Sequence, residues 1–192
     1  MKHFYDNVDG FMIQSNKDFF KLMINNLNGE TCDWVEVGSY QGKSAAFCYV
    51  ELKNKFNNLN FTCVDTFEGT PEENFMKHNP NIIRDNRLWN LFNSNMQPII
   101  NDINVIRSLS WEAAEQFADK SIDFCYIDAD HSYNSVIKDI TAWYPKIKPG
   151  GYIGGDDMTK KFPGVAKAVT EFFGKKLKVG KYKRCWFVQK PK

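Results

Sequence analysis

Four aspartates follow two short apolar runs in the second half of the sequence. Asp128 and Asp130 follow the run at 124–127, and Asp156 and Asp157 follow GGYIGG at 150–155. If both runs are neighbouring parallel strands, their carboxyl ends share one edge of a sheet and lie roughly 4.8 Å apart. Carboxylates that crowd together repel one another, so we expect some to be protonated or to bind a cation. The alternative is that they cap helices, as Asp128 and Asp130 would before a helix that starts near Ser132.

His131 is the candidate base of this site because it comes three residues after Asp128. An imidazole with an unperturbed pKa near ~6.5 can take a proton from a hydroxyl that a metal has acidified. Two other roles stay open for His131, a cap for the following helix or a hydrogen bond to a metal's shell.

A glycine turn in the first third of the chain is typical of nucleotide binding. In VEVGSYQG (35–42), Glu36, Gly38 and Gly42 lie where a strand passes into a helix, although the tighter spacing GxGxxG is absent. Asp65 ends the next apolar run, where an acidic side chain reaches the two hydroxyls of a ribose. Each feature alone has a structural reading, a tight turn or a helix cap. Together they favour an adenosine-type cofactor.

These residues require strands that alternate with helices. Helical spacing at 15–27, 43–56, 111–117, 132–144 and 164–173 separates strands at 32–38, 61–65, 104–108, 124–128 and 150–155, and two further strands meet near Gly180. The alternation predicts an α/β fold with a doubly wound parallel sheet. Residues 66–101 are too long for an ordinary loop and predict a helical insertion, either a lid or a dimer contact.

Composition limits the remaining possibilities. The 192 residues, of which 43% are hydrophobic, suit a single domain (1–192) with an N-terminal helix in 1–31. The net charge is +2, and we expect no nucleic-acid partner; the basic tail 175–192 alternates with apolar residues and predicts strands with solvated faces. The chain has no apolar run of ~20 residues, so no membrane span is expected. Five isolated cysteines predict reduced thiols and a cytoplasmic location.

The ordered set VEVGSYQGKSA, VDTFEG, a serine after the third strand, YIDADHSY and KPGGYIGGDD resembles the class I S-adenosylmethionine-dependent methyltransferases. Within that class it is most similar to the metal-dependent O-methyltransferases, including small bacterial enzymes that act on sugars and antibiotic precursors. The resemblance runs from about Trp34 to Gln189. It implies a Rossmann-like sheet of seven strands, mostly parallel, with an antiparallel last strand and helices on both faces.

The resemblance also implies roles for individual residues. The metal, Mg²⁺ with Ca²⁺ or Mn²⁺ as alternatives, would be held by Asp128, Asp156 and Asp157, and many relatives have Asn at the last position. His131 stands where catechol-type relatives have a lysine base. The cofactor-binding residues would be those of the glycine turn (Glu36, Gly38, Ser39, Tyr40, Gly42, Ser44), the ribose and adenosine contacts (Asp65, Thr66, Phe67), the adenine turn (Ser108, Ser110, Trp111) and Asp128.

The predicted function is transfer of a methyl group from S-adenosylmethionine to a metal-bound hydroxyl of a small molecule, such as a sugar or another vicinal diol. One alternative is a metal-independent methyltransferase in which Asp128 only orients the substrate. The other is an NAD-dependent oxidoreductase, which would need a third glycine and a Tyr/Lys pair that the sequence does not offer. A homo-oligomer is left open.

Overall fold

The computed structural model describes residues 1–70, 80–179 and 184–192. The α-helices in these ranges are α1 (Gln14–Asn26), α2 (Lys43–Lys55), α3 (Arg87–Asn95), α4 (Ser110–Ala113), α5 (Tyr133–Trp143) and α6 (Pro163–Phe173). The strands are β1 (Thr31–Val37), β2 (Asn58–Val64), β3 (Asn104–Ile106), β4 (Ile122–Ile127), β5 (Ile147–Gly155), β6 (Lys178–Val179) and β7 (Trp186–Gln189).

The strands form one sheet in the order β3-β2-β1-β4-β5-β7-β6. Strands β1 to β5 pair in parallel, and β7 pairs antiparallel with both β5 and β6, so the prediction of a mostly parallel sheet with an antiparallel last strand is confirmed. Within the described residues six strands have three or more residues. The predicted count of seven is reached only by including β6, which has two. The predicted hairpin turn at Gly180 lies outside the described residues.

Helices cover both faces of the sheet. Successive strand residues point to opposite sides, and in β1 apolar residues on both sides need to be buried. In β1, Trp34 packs with Phe20 and Phe47 on the face covered by α1 and α2. Its neighbour Val35 packs with residues of α5 and α6, among them Trp143, on the other face. The strands β1 and β4 are neighbours in the sheet. On one side of this pair the chain continues through β2 and β3, and on the other side through β5. Their carboxyl ends therefore form the switch point at which open α/β sheets bind ligands.

Part of the insertion 66–101 is visible as helix α3, with Leu88 and Phe92 fully buried. Short 3-10 turns precede and follow it at 80–82, 84–86 and 100–102. Residues 71–79 lie outside the described part of the chain, so the roles as a lid or dimer contact stay predictions.

All five cysteines are buried and free, as expected for reduced thiols. Within the described ranges, the helices are all too short or too polar to cross a membrane.

Candidate active site

A cleft of about 940 Å³ opens at the carboxyl edge of the sheet. The turns after β1, β2, β3, β4 and β5 all contribute to its walls, together with the N-terminal segment that precedes α1. Of the predicted site residues, the following line this cleft: Gly38, Ser39, Tyr40, Ser44, Asp65, Thr66, Ser108, Ser110, Trp111, Asp128, His131, Asp156 and Asp157.

Gly38 lies at the switch point, in backbone contact with the start of the acidic edge. Its amide donates to the carbonyl of Val64 at 2.8 Å, and the amide of Asp128 donates to Val37 at 2.8 Å. Gly38 has φ +91°, and a Cβ atom there would lie 2.2 Å from the carbonyl oxygen of Asp128. The position therefore requires glycine because of the neighbouring strand, even before a ligand is considered.

Gly42 has a different environment from the one expected. It has φ +89°, and a Cβ atom would lie 2.7 Å from Sδ of Met96 and 3.3 Å from Phe92. Gly42 thus packs against the end of α3 and is not part of the cleft wall. The missing side chain therefore makes room for the insertion helix, and the role of Gly42 at the methionine end of the cofactor stays a prediction.

Glu36 lies beneath the cleft, 1% exposed. Burial raises the pKa of its carboxyl to about 7, and the hydroxyls of Ser44 and Ser39 favour the charged form. Ser39 Oγ donates to Glu36 Oε2 at 2.9 Å. The two serines line the cleft and Glu36 does not.

Asp65 connects the first and second turns. Its Oδ2 accepts from the amide of Tyr40 at 2.8 Å, and its Oδ1 accepts from the amide of Phe67 at 2.7 Å. Burial raises the pKa of this carboxyl, against the effect of the amide hydrogen bonds. The Phe67 ring is 2% exposed and packs on Trp89 and Phe92, with ring centroids 5.1 and 4.8 Å away. The ring of Phe67 is therefore part of the core, and its predicted place beside the adenosine stays a prediction.

The turn after β3 lines the cleft as expected. Ser108 Oγ donates to Glu112 at 3.3 Å, and Ser110 Oγ accepts from Trp143 Nε1 at 2.8 Å. Sequence reasoning missed Asp139, which lies behind this turn, is 1% exposed and also lines the cleft. Burial raises the pKa of its carboxyl to about 7. Its position among the buried residues of α5 was the signal that could have revealed it.

His131 connects the two acidic strand ends. Its Nε2 lies 3.1 Å from Asp157 Oδ2 and 3.6 Å from Asp128 Oδ1. Burial raises the pKa of the Asp128 carboxyl, partly offset by its hydrogen bond with His131. The cap of α5 is Ser132, which accepts from the amide of Ser135 at 3.3 Å, so the alternative of His131 as a helix cap is wrong. Asp130 accepts from the amide of Ser132 and shapes this turn.

Asp156 is surrounded by protein donors. Its Oδ2 accepts from Asn16 Nδ2 at 2.7 Å and from Arg184 Nε at 2.8 Å, and Cys185 Sγ lies 3.5 Å from Oδ1. The Arg184 guanidinium also lies 2.8 Å from Asp157 Oδ1. Arg184 belongs to the basic tail that was expected to be solvated. In the structure it is half-buried and its charge compensates two buried carboxylates.

The donor set fits a divalent cation, but not as the predicted trio. Among the described residues, Asp128, His131 and Asp157 each offer a ligand atom within 4.8 Å of the others. Carboxylate oxygens are the ligands that Mg²⁺, Ca²⁺ and Mn²⁺ prefer. Asp156 is outside this group because its oxygens face Asn16, Arg184 and Cys185.

Comparisons with known proteins agree with this fold. A family model described as a methyltransferase domain matches residues 35–158. The uncharacterized protein R132 of Acanthamoeba polyphaga mimivirus is 26% identical over 188 residues, which cover 94% of this chain and 76% of that protein. The O-methyltransferase NovP has a TM-score of 0.67 at 17% identity, over 93% of this chain and 80% of its own. An O-methyltransferase from Bacillus cereus, solved in complex with SAH, has a TM-score of 0.64 at 17% identity, over 96% and 86%. At these identities the solved structures show a shared fold.

Proposed function

The chain belongs to the methyltransferase-domain family, as a class I S-adenosylmethionine-dependent methyltransferase, and on that premise we propose that it methylates a hydroxyl oxygen of a small molecule. The observation that carries the proposal is the position of His131 between Asp128 and Asp157, at the edge of the cleft that also contains Gly38 and Asp65. A proton acceptor beside a cofactor turn is what transfer to a hydroxyl requires.

The cofactor half of the cleft contains the turns after β1, β2 and β3. S-adenosylmethionine supplies an electrophilic methyl group on its sulfonium when bound. Asp65 can accept the ribose hydroxyls, because a carboxylate has about four acceptor positions and the amides of Tyr40 and Phe67 use one on each oxygen. Ser39 and Ser44, held by Glu36, offer polar atoms to the amino-acid end. Thr66 and the turn 108–111 form the wall for the nucleoside.

The imidazole of His131 accepts the hydroxyl proton. The imidazolium that forms would have two carboxylates 3.1 and 3.6 Å away, and their charges stabilise it. Phe162, whose ring centroid lies 4.2 Å from that of His131, covers the imidazole and reduces its contact with water. Most of the remaining rate enhancement would come from holding two substrates in one cleft.

We propose that Asp128 and Asp157 hold a divalent cation, Mg²⁺ in the first place. Such an ion would lower the pKa of a hydroxyl bound to it. Asp156, which the sequence assigned to the same site, would act by holding Arg184 beside Asp157.

A metal-independent version of the same reaction is favoured by one specific observation. The Arg184 guanidinium lies 2.8 Å from both Asp156 and Asp157, so a positive charge is already present at the edge. In that version Arg184 compensates the carboxylates and His131 deprotonates the acceptor without a cation.

The acceptor itself stays a prediction, a sugar or another vicinal diol. The cleft wall also contains Phe11 and Ile13, which are 70% and 56% exposed, and Phe162; the ring of Phe11 stacks on that of Tyr40 at 5.7 Å. Apolar surfaces of this kind suit the flat face of a sugar or aromatic ring.

Calorimetric titration of S-adenosylmethionine and S-adenosylhomocysteine tests the class of cofactor. We expect micromolar binding of both, with Mg²⁺ present and after chelation. If neither nucleoside binds, the assignment of Gly38 and Asp65 to a cofactor site is overturned.

Arg184→Gln separates the two versions of the chemistry. If the metal-dependent version holds, chelation abolishes turnover of the wild type, and the variant binds Mg²⁺ more tightly because a competing positive charge is gone. In the metal-independent version chelation leaves turnover unchanged and the variant loses it. Asp157→Ala is the matched control for Mg²⁺ binding, which it should abolish only in the first case.

A further inference from the structure

Asn16 is a buried amide that connects the first turn of α1 with the acidic edge of the cleft. The residue is 6% exposed and lines the cleft. Its Nδ2 donates to Asp156 Oδ2 at 2.7 Å, and its Oδ1 accepts from the amide of Ile13 at 3.2 Å. These contacts use opposite ends of one side-chain amide, because a carboxylate accepts and a backbone N–H donates. An asparagine satisfies both without adding a charge to a cluster of carboxylates.

The donor end of Asn16 acts on the carboxylate that holds Arg184. Asp156 Oδ2 accepts from Asn16 and, at 2.8 Å, from Arg184 Nε. The same guanidinium lies 2.8 Å from Asp157 Oδ1, and Asp157 Oδ2 lies 3.1 Å from His131 Nε2. The hydrogen bond of Asn16 therefore fixes the direction of the Asp156 carboxylate, and through it the position of the positive charge beside Asp157.

Asp157 has a backbone conformation that needs support from its surroundings. Its φ is +57°, in the left-handed region that is uncommon for residues other than glycine. Such conformations cost free energy and persist only where neighbouring contacts determine them. Arg184 supplies such contacts, since its guanidinium pairs with Asp156 and Asp157 and its carbonyl accepts from the amide of Met158 at 3.0 Å. The arginine that Asn16 helps to place thus holds the turn after β5.

The acceptor end of Asn16 holds the segment that precedes α1. Ile13 is the N-cap of this helix, and its amide donates to Asn16. A side chain in the first turn that accepts from the N-cap amide stabilises the start of the helix. Ile13 also lines the cleft, together with Phe11. One amide therefore joins the apolar wall to the acidic edge, and a small molecule bound between them would depend on both.

We propose that Asn16 is a positioning residue of the methyl-transfer site: it sets the Asp156–Arg184 pair beside His131, and it holds the wall at Ile13 in a fixed position relative to that pair. The inference rests on the proposed function for its role in the reaction. Asn16 itself takes no part in moving the methyl group or the proton.

Solvent exchange of the Arg184 Nε–H, measured by heteronuclear NMR, reports on this arrangement without an acceptor molecule. The chain has four arginines, and the signal of Arg184 is the one that disappears in Arg184→Lys. In the wild type this hydrogen should exchange slowly, because Nε donates to Asp156. Asn16→Leu removes the amide with little change in volume, and exchange should become roughly 10-fold faster, the equivalent of weakening one hydrogen bond to a charged group.

Gln14→Leu is the matched control for this measurement. Gln14 lies in the same turn of α1 and also donates to an aspartate, Asp18, at 2.8 Å. It is exposed and lies outside the cleft. The Arg184 exchange rate should therefore stay at its wild-type value in this variant.

Turnover gives the second readout, with catechol as the probe acceptor because it is a vicinal diol. Asn16→Leu should lower kcat by roughly 10- to 100-fold, the range for residues that orient the groups of a site, while the Kd of S-adenosylhomocysteine stays within about twofold. Asn16→Asp keeps the acceptor for Ile13 but places a carboxylate against Asp156, and should lower kcat to a similar extent. Asn16→Asp combined with Asp156→Asn restores a donor and an acceptor with the wild-type charge, and should recover most of the loss.

Other outcomes have distinct meanings. An unchanged Arg184 exchange rate in Asn16→Leu would overturn the inference, and for a wild type that binds the cofactor but does not methylate catechol this rate alone decides. Equal losses of kcat and of cofactor affinity would overturn it as well, because Asn16 would then only support the fold. If the wild type binds no S-adenosylhomocysteine, the proposed function fails and the role in the reaction fails with it, whereas faster Arg184 exchange would still show that Asn16 positions the acidic edge.

Discussion

Gly38 and Asp128 are in backbone contact, so close that a methyl group on Gly38 would lie 2.2 Å from the carbonyl oxygen of Asp128. The first residue of the cofactor turn and the first residue of the acidic edge therefore share one rigid position at the switch between β1 and β4. A displacement of the turn would displace the carboxylate beside His131 as well. Under the proposed function, a change at this contact would therefore affect cofactor binding and proton transfer together.

Alanine substitutions at the two glycines of the first turn should differ in cost. Gly38→Ala places a methyl group against backbone that cannot move, and we expect a loss of about 4 kcal/mol or more in the free energy of unfolding. Gly42→Ala meets the flexible end of Met96 and should cost about 2 kcal/mol, mostly from its positive φ. Urea denaturation measures both. Gly29→Ala, at φ +112° but in open space, isolates the backbone contribution; a larger loss for Gly42→Ala than for Gly38→Ala would contradict this account.

Replacing Asp65 should weaken cofactor binding more than it lowers the Tm, although its carboxylate also accepts from the amides of Tyr40 and Phe67. Asp65→Ala removes the acceptor for ribose hydroxyls, and hydrogen bonds to charged groups contribute about 1.5–3 kcal/mol, or roughly 10- to 100-fold in the Kd of S-adenosylhomocysteine. Calorimetry gives the affinity, and circular dichroism the Tm. Asp119→Asn is the control, because that carboxylate is exposed and lies outside the cleft. Unchanged affinity in Asp65→Ala would remove this residue from the binding site.

Loss of His131 should lower turnover far more than binding. If the imidazole takes the hydroxyl proton, His131→Ala should reduce kcat by roughly 10²- to 10⁴-fold. The Kd of S-adenosylhomocysteine should stay within about twofold, because no cofactor contact is assigned to this ring. His3→Ala is a matched histidine control, since His3 pairs with Glu51 away from the cleft. A variant with near-normal kcat would exclude His131 as the base.

The buried carboxyl of Glu36 should make stability depend on pH. Its pKa is raised from 4.5 to about 7 in the folded chain, so the folded state retains a proton that the unfolded state releases. The free energy of unfolding should therefore fall as pH rises from about 4.5 to 7, by about 3 kcal/mol for this group, and level off above pH 7. Urea denaturation across this range measures the slope, to which Asp139 contributes in the same direction.

Glu36→Gln should remove the share of this slope that belongs to Glu36. A variant with the wild-type slope would show that Glu36 is ionised in the folded state at low pH. Among the described residues, the hydroxyls of Ser44 and Ser39 favour the ionised form of Glu36, and the carboxylates of Asp128 and Asp65 oppose it.

The sheet and most of the cleft could be predicted from the sequence, because strand ends and turns are local patterns. Asp128, Asp157 and His131 follow directly from where apolar runs stop, and the structure brings them together. The family match also decides against the NAD-dependent alternative, in agreement with the two-glycine turn.

The features that sequence reasoning missed depend on contacts between distant parts of the chain. Gly42 lies against Met96, which belongs to the insertion 66–101. The carboxylate of Asp156 accepts hydrogen bonds from both Asn16 and Arg184. A basic residue in an alternating tail has the same local pattern whether water or a carboxylate surrounds it. Asp139 was missed for another reason: it lies on the buried face of α5, where the apolar residues Val136 and Ile140 define the helical pattern and a carboxyl is unusual.

The wall around Phe11 and Ile13 has a consequence for engineering. The segment that precedes α1, together with Thr159, Lys161, Phe162 and Arg184, lines the cleft but lies outside the region 35–158 that the family model matches. A library restricted to these positions would vary the shape of the cleft while keeping the sequence of the glycine turn and of His131 constant.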